Sequence, residues 1–170
     1  MTRVLVAGVG NIFCGDDAYG VEVTNRLLRK SFPSEVDVKD FGIRGLDLAY
    51  ALTDGYEFVI VIDAAARGQE PGSISIVEPE RAIGAASGPQ PLLGSAHGLD
   101  PEKVLRFATT LGATCKRIFF VVCEPFTLGD EDGQMGLSDV VAASVEPSVH
   151  LVESLVTSLL REGEIALGAC

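Results

Sequence analysis

No apolar run in this 170-residue chain approaches the roughly 20 residues that a membrane-spanning helix requires. Basic residues are scarce: 13 Lys and Arg stand against 24 Asp and Glu, for a formal net charge of −11. Such a chain is repelled by nucleic-acid phosphates and by anionic lipid, so neither is an expected partner. The four cysteines, Cys14, Cys115, Cys123 and Cys170, include no CxxC pair. They read as free thiols in a reducing, cytoplasmic setting. No basic-then-apolar leader precedes the first strand, so no secretory signal is expected. Internal repeats and low-complexity linkers are absent, as are an HExxH motif and any evident Ser-His-Asp arrangement.

What is present describes a globular protein. The length suits one domain over residues 1–170 with a full core. Strand and helix patterns alternate, which predicts an α/β fold. The expected architecture is a three-layer sandwich: about five strands in a twisted, mostly parallel sheet, with helices on both faces. Val4–Gly8 and Phe58–Ile62 are continuous apolar runs, as for strands buried on both faces. Ser34–Phe41 alternates, and Arg117–Cys123 supplies a further strand. Ser73–Val77 follows the third strand after only about ten residues, too few for a helical crossover, so it is expected to run antiparallel. Helices are expected over 18–30, over Leu46–Thr53, from the Asp100-Pro101-Glu102 start onward, and over roughly 147–161. Residues 79–96 and the acidic stretch 125–137 read as loops.

The first strand runs into Gly8-Val9-Gly10-Asn11 and then Gly15-Asp16-Asp17-Ala18-Tyr19-Gly20. A Gly-rich turn between strand and helix is the layout of a phosphate-cradling loop. Here Asp16 and Asp17 occupy the helix entrance, and Phe13 stands where a dinucleotide fingerprint places its third glycine. Two negative charges there repel a pyrophosphate and favour a cation. Only Asp40, at the end of the second strand, fits the dinucleotide pattern. In a parallel sheet, ligands bind outside the carboxyl ends of the strands. Asp16, Asp17, Asp40, Asp63, Glu124 and the loop residue His97 all map to that edge. Two carboxylates and an imidazole form a three-ligand set suited to a borderline divalent metal, with open positions for substrate. Each residue also has a plainer reading: Asp16 or Asp17 as a helix cap, Asp63 at a turn, His97 half-buried, His150 on the surface or in packing, Cys14 as a small packing residue. Asp130-Glu131-Asp132-Gly133 lacks the distal acid of a calcium loop and reads as solvated.

Taken together, these blocks resemble the hydrogenase maturation proteases. The resemblance rests on Gly8-Val9-Gly10-Asn11 with Gly15-Asp16-Asp17-Ala18-Tyr19-Gly20, on Val61-Ile62-Asp63-Ala64, on Ser95-Ala96-His97, and on Gly136-Leu137-Ser138 with Val140 before the last helix. It runs in order from residue 3 to about 160. It implies an endopeptidase that removes the C-terminal extension of a nickel-loaded [NiFe] hydrogenase large-subunit precursor. It also implies that Asp17, Asp63 and His97 form the catalytic and metal-binding set, that nickel arrives with the substrate, and that no organic cofactor is needed. Many members carry Glu at the position of Asp17 and Gly at that of Ala18. The Asp40–Gly45 stretch departs from a common Gly-Thr version in the region associated with hydrogenase type. Two other readings remain open on the residues alone: a nucleotide-binding module, and a metal-dependent hydrolase of a small molecule.

Overall fold

A computed structural model describes residues 2–79 and 101–168. The elements in chain order are β1 (Val4–Val9), a 3-10 turn (Gly15–Ala18), α1 (Tyr19–Leu27), β2 (Val36–Gly42), α2 (Gly45–Ala51), β3 (Phe58–Ala64), β4 (Ile74–Val77), α3 (Pro101–Thr110), β5 (Arg117–Cys123) and α4 (Asp139–Gly168). The five strands form one sheet in the order β2-β1-β3-β5-β4. β1 pairs in parallel with β2 and β3, and β3 with β5; β4 runs antiparallel to β5. The expected mostly parallel, five-stranded sheet is therefore present. The short β3–β4 link does yield an antiparallel strand, and that strand pairs with β5 at the sheet edge.

The two-residue period of β1 divides its side chains between two cores. Val4 and Val6 face α1 and α4, in a cluster with Tyr19, Val23, Leu27 and Val149. Leu5, Ala7 and Val9 face α2 and α3, in a cluster with Leu48, Leu52, Val104 and Ala108. Helices on both faces of the sheet complete the three layers. Among the described residues, no helix is long and apolar enough to cross a membrane.

Several boundaries differ from the sequence pattern. α1 is shorter than 18–30: a 3-10 turn precedes it, and Leu28 lies beyond its end, half exposed. β3 runs two residues past Ile62, so Asp63 lies inside the strand, paired with Val122 of β5. α4 begins at Asp139, ahead of the expected start near 147, and carries Pro147 within it. Val140, expected before that helix, lies inside it. The apolar stripe explains the difference. Val141, Val145, Val149, Val152, Val156 and Leu159 recur at helical spacing and are all buried. Each buried aliphatic side chain contributes roughly 1.5–3 kcal/mol. Together they outweigh the roughly 3 kcal/mol that an interior proline costs. Ala143, whose carbonyl loses its partner at Pro147, is itself exposed. Residues 80–96 of the predicted loop 79–96, the Asp100 helix cap and His97 lie outside the described residues.

Candidate active site

The sheet order sets the location. From β1 the chain moves to β2 on one side and then to β3 on the other, so the strand order reverses between β1 and β3. A crevice opens outside the carboxyl ends of strands at such a reversal, and ligands bind there. Both strands end in this crevice, with the β1–α1 turn over it.

Two glycines let the turn fold down onto the strands. Gly10 has φ +142°, and an added Cβ would lie 1.9 Å from the carbonyl oxygen of Asp17. At Gly20 a Cβ would meet the carbonyl oxygens of Val9 and Ile62, each at 2.2 Å. No residue with a side chain fits either contact. The first turn of α1 therefore rests directly on the ends of β1 and β3. This brings Asp17, on the turn, to Asp63, near the end of β3.

Asp17 accepts a hydrogen bond from the Asn11 backbone N–H (2.8 Å), which fixes its carboxylate. Burial raises its pKa, and that hydrogen bond opposes the rise. Asp63 is only 8% exposed. Its pKa is pushed well above the ordinary carboxylate range, first by burial and then by the charge of Asp17; the Ala64 backbone N–H acts in the other direction. Two such carboxylates resist simultaneous ionisation. Ionisation of one opposes ionisation of the other, an arrangement that favours a retained proton or a neighbouring cation. A carboxyl group raised in this way is also suited to moving a proton near neutral pH. Among the described residues no group of three His, Cys, Asp or Glu side chains stands close enough to hold a metal ion; the third residue of the predicted set, His97, is not among them.

Residues 21–155 match the family model described as hydrogenase maturation protease. The chain belongs to the hydrogenase maturation protease family. One relative is the hydrogenase expression/formation protein HupD of Bradyrhizobium diazoefficiens, 31% identical over 150 residues, covering 88% of this chain and 75% of that protein. Among solved structures, the chain is similar to the hydrogenase 2 maturation peptidase from a Thaumarchaeota archaeon, with 30% identity, a TM-score of 0.68, and 92% of this chain and 99% of that one covered. The hydrogenase maturating endopeptidase HybD from E. coli shares the fold, with 24% identity, a TM-score of 0.72, and 92% and 93% of the two chains covered.

Within this hydrogenase maturation protease, the other acids read from the sequence have bracing roles. Neither Asp16 nor Asp17 caps a helix through its side chain. Asp16 is fully buried and reaches across to the β5–α4 loop. It accepts from the backbone N–H groups of Phe126 (2.8 Å), Thr127 (3.0 Å) and Ser138 (2.7 Å), and from the Ser138 hydroxyl (2.9 Å). Asp40 turns back on the Gly42 N–H (2.8 Å), and Arg44 donates to the carbonyls of Asp40 and Phe41. Glu124 closes the turn after β3 by accepting from Arg67 (2.7 Å) and Gly68 (3.3 Å). Cys14 forms a backbone bridge to Gln134. His150 is exposed on α4 beside Glu146 and Glu153. Asp130, Glu131 and Asp132 are exposed, as a solvated loop requires.

Sequence reasoning missed the part played by Ser138. The signal was present, a serine directly before the acid that opens α4, but its partner lies 122 residues away. Asn11 was read for its place in the motif, and its backbone N–H, which orients Asp17, carries no residue signature.

Proposed function

We propose that this chain, acting as one domain over residues 1–170 in the cytoplasm, is the endopeptidase that removes the C-terminal extension of a nickel-loaded [NiFe] hydrogenase large-subunit precursor. The observation that carries this reading is the pairing of Asp17 and Asp63 at the strand-order reversal, each carboxyl group opposed in its ionisation and the two coupled by charge. Asp17, Asp63 and His97 are the residues assigned to the reaction. Nickel is part of the substrate, held by the precursor before cleavage.

Two carboxylates and an imidazole match the ligand preferences of nickel, whose sites combine nitrogen and oxygen donors. An approaching divalent ion removes the repulsion between Asp17 and Asp63 and lets both ionise. The trio thereby distinguishes a metal-loaded precursor from an empty one. Bound in this way, the ion also polarises a nearby carbonyl. Peptide hydrolysis then requires water to add its oxygen to the scissile carbonyl carbon, a carboxylate to accept the water proton, and that proton to reach the departing amine as the C–N bond breaks. This assigns an aspartic-type chemistry linked to a metal that the substrate supplies.

The test is precursor processing by purified protein, followed as a mobility shift of the large subunit. Asp17→Asn, Asp63→Asn and His97→Ala each lose at least about 100-fold in rate, the range associated with loss of a general base or its equivalent. Wild-type rates in Asp17→Asn and Asp63→Asn would overturn the assignment of these residues.

A further inference from the structure

An open groove of about 430 Å³ begins one residue from the proposed catalytic pair. Ile12, Ala18, Val21, Met135, Leu137 and Ala142 supply its apolar lining, and Glu22, Asn25 and Arg26 its polar part. Ala18 directly follows Asp17, and Ile12 follows Asn11, whose N–H holds the Asp17 carboxylate. Resting on the reading above, we propose that this groove receives an apolar segment of the precursor's C-terminal extension, next to the bond that is cut.

Three features fix the occupant. The first is chemistry. The charged groups that line the groove are paired, Arg26 with Glu22 (3.8 Å) and with Glu146 outside it (3.0 Å). What the groove offers is therefore mainly apolar surface, with Ile12 42% and Met135 71% exposed. The second is rigidity. Side chains so exposed ordinarily sit on mobile loops, but here the backbone beneath them is tied. Gly15 N–H donates to the Gln134 carbonyl (2.7 Å), Gln134 N–H to the Phe13 carbonyl (2.8 Å) and Asp16 N–H to the Thr127 carbonyl (2.9 Å). The buried Asp16 carboxylate clamps the same two loops from below. A preorganised apolar edge favours binding because it has little freedom left to lose. The third is size. A stable docking of two folded surfaces buries on the order of 800 Å² per partner. A groove of 430 Å³ lies within the range of sites for small ligands or short segments. Its lining begins at Ala18, the residue after Asp17, and at Ile12, the residue after Asn11, and this makes that segment the extension itself. The exposed Asp130, Glu131 and Asp132, which precede Met135 in the same loop, add negative potential, so the segment pairs apolar side chains with positive charge.

The test uses full-length protein and nickel-loaded precursor. Ile12→Ser and Met135→Ser each raise KM about tenfold, as expected for lost apolar contact, with kcat within about twofold of wild type. Ile76→Ser, at a half-exposed position on the edge strand β4, leaves both constants unchanged. Thermal melts of each variant report that folding is retained. A benzophenone-bearing residue in place of Met135 crosslinks to the precursor, and mass spectrometry locates the crosslink in the extension or within a few residues of the cut. Unchanged KM in both serine variants, or a crosslink confined to the body of the precursor, would overturn the groove assignment while leaving the protease reading intact. If the wild type cleaves no precursor, the protease reading fails; the crosslink then still decides whether the extension occupies the groove.

Discussion

Asp63 sits where its ionised form is opposed twice, by burial and by the neighbouring Asp17. Its carboxyl group binds a proton more tightly in the folded protein than in the unfolded chain. The stability this contributes is fully present below the ordinary carboxylate pKa and is lost as pH rises through the raised, folded value. At neutral pH the residue therefore opposes folding. Asp63→Asn should raise the melting temperature at pH 7.5, and the gain should shrink toward zero as the pH falls below about 4. Melting curves across that range check it, and a gain that does not vary with pH would contradict the electrostatic origin. Asp17→Glu is the complementary probe at this scale. It keeps the charge and adds one methylene, so partial processing should survive where Asp17→Asn has none. The chemistry of both residues was legible in the sequence: an acid ending an apolar strand and a pair of acids at a Gly-rich helix entrance are both anomalies. Their meeting at one sheet edge was also expected from the sequence; what the sequence did not show is the means, the close backbone contacts at Gly10 and Gly20 that seat the turn on β1 and β3.

At the scale of elements, the β5–α4 loop and the β1–α1 turn behave as one unit because Asp16 joins them. An amide in its place has only one acceptor oxygen. Asp16→Asn should leave at least one buried N–H without an acceptor, which costs about 1–3 kcal/mol. Urea unfolding measures this, and limited proteolysis should cut within 126–138 in the variant before the wild type. Pro147 offers a test of opposite sign. Pro147→Ala restores the missing helical hydrogen bond and should stabilise the protein by roughly 1–3 kcal/mol. A loss of stability would show that the proline relieves strain in α4. The strands and the central helices were legible because apolar runs and helical stripes report burial directly. The start of α4 was expected near 147, whereas the valines on either side of Pro147 pack as one stripe into the core. β3 was read two residues short for a related reason: an acid breaks an apolar run in sequence without ending the strand's pairing to β5.

For the molecule as a whole, the strand order, the two cores and the turn over β1 and β3 place one coupled acid pair at the point where the sheet reverses order. The family assignment gives this placement its reaction, and under the proposed function the pair senses its substrate's metal. Comparing nickel-loaded with nickel-free precursor, each incubated with wild-type protein and with Asp17→Asn, tests that sensing most directly. The account predicts cleavage of the loaded precursor by the wild type alone, and no cleavage of the empty precursor by either protein. Equal cleavage of nickel-free precursor by the wild type would contradict it.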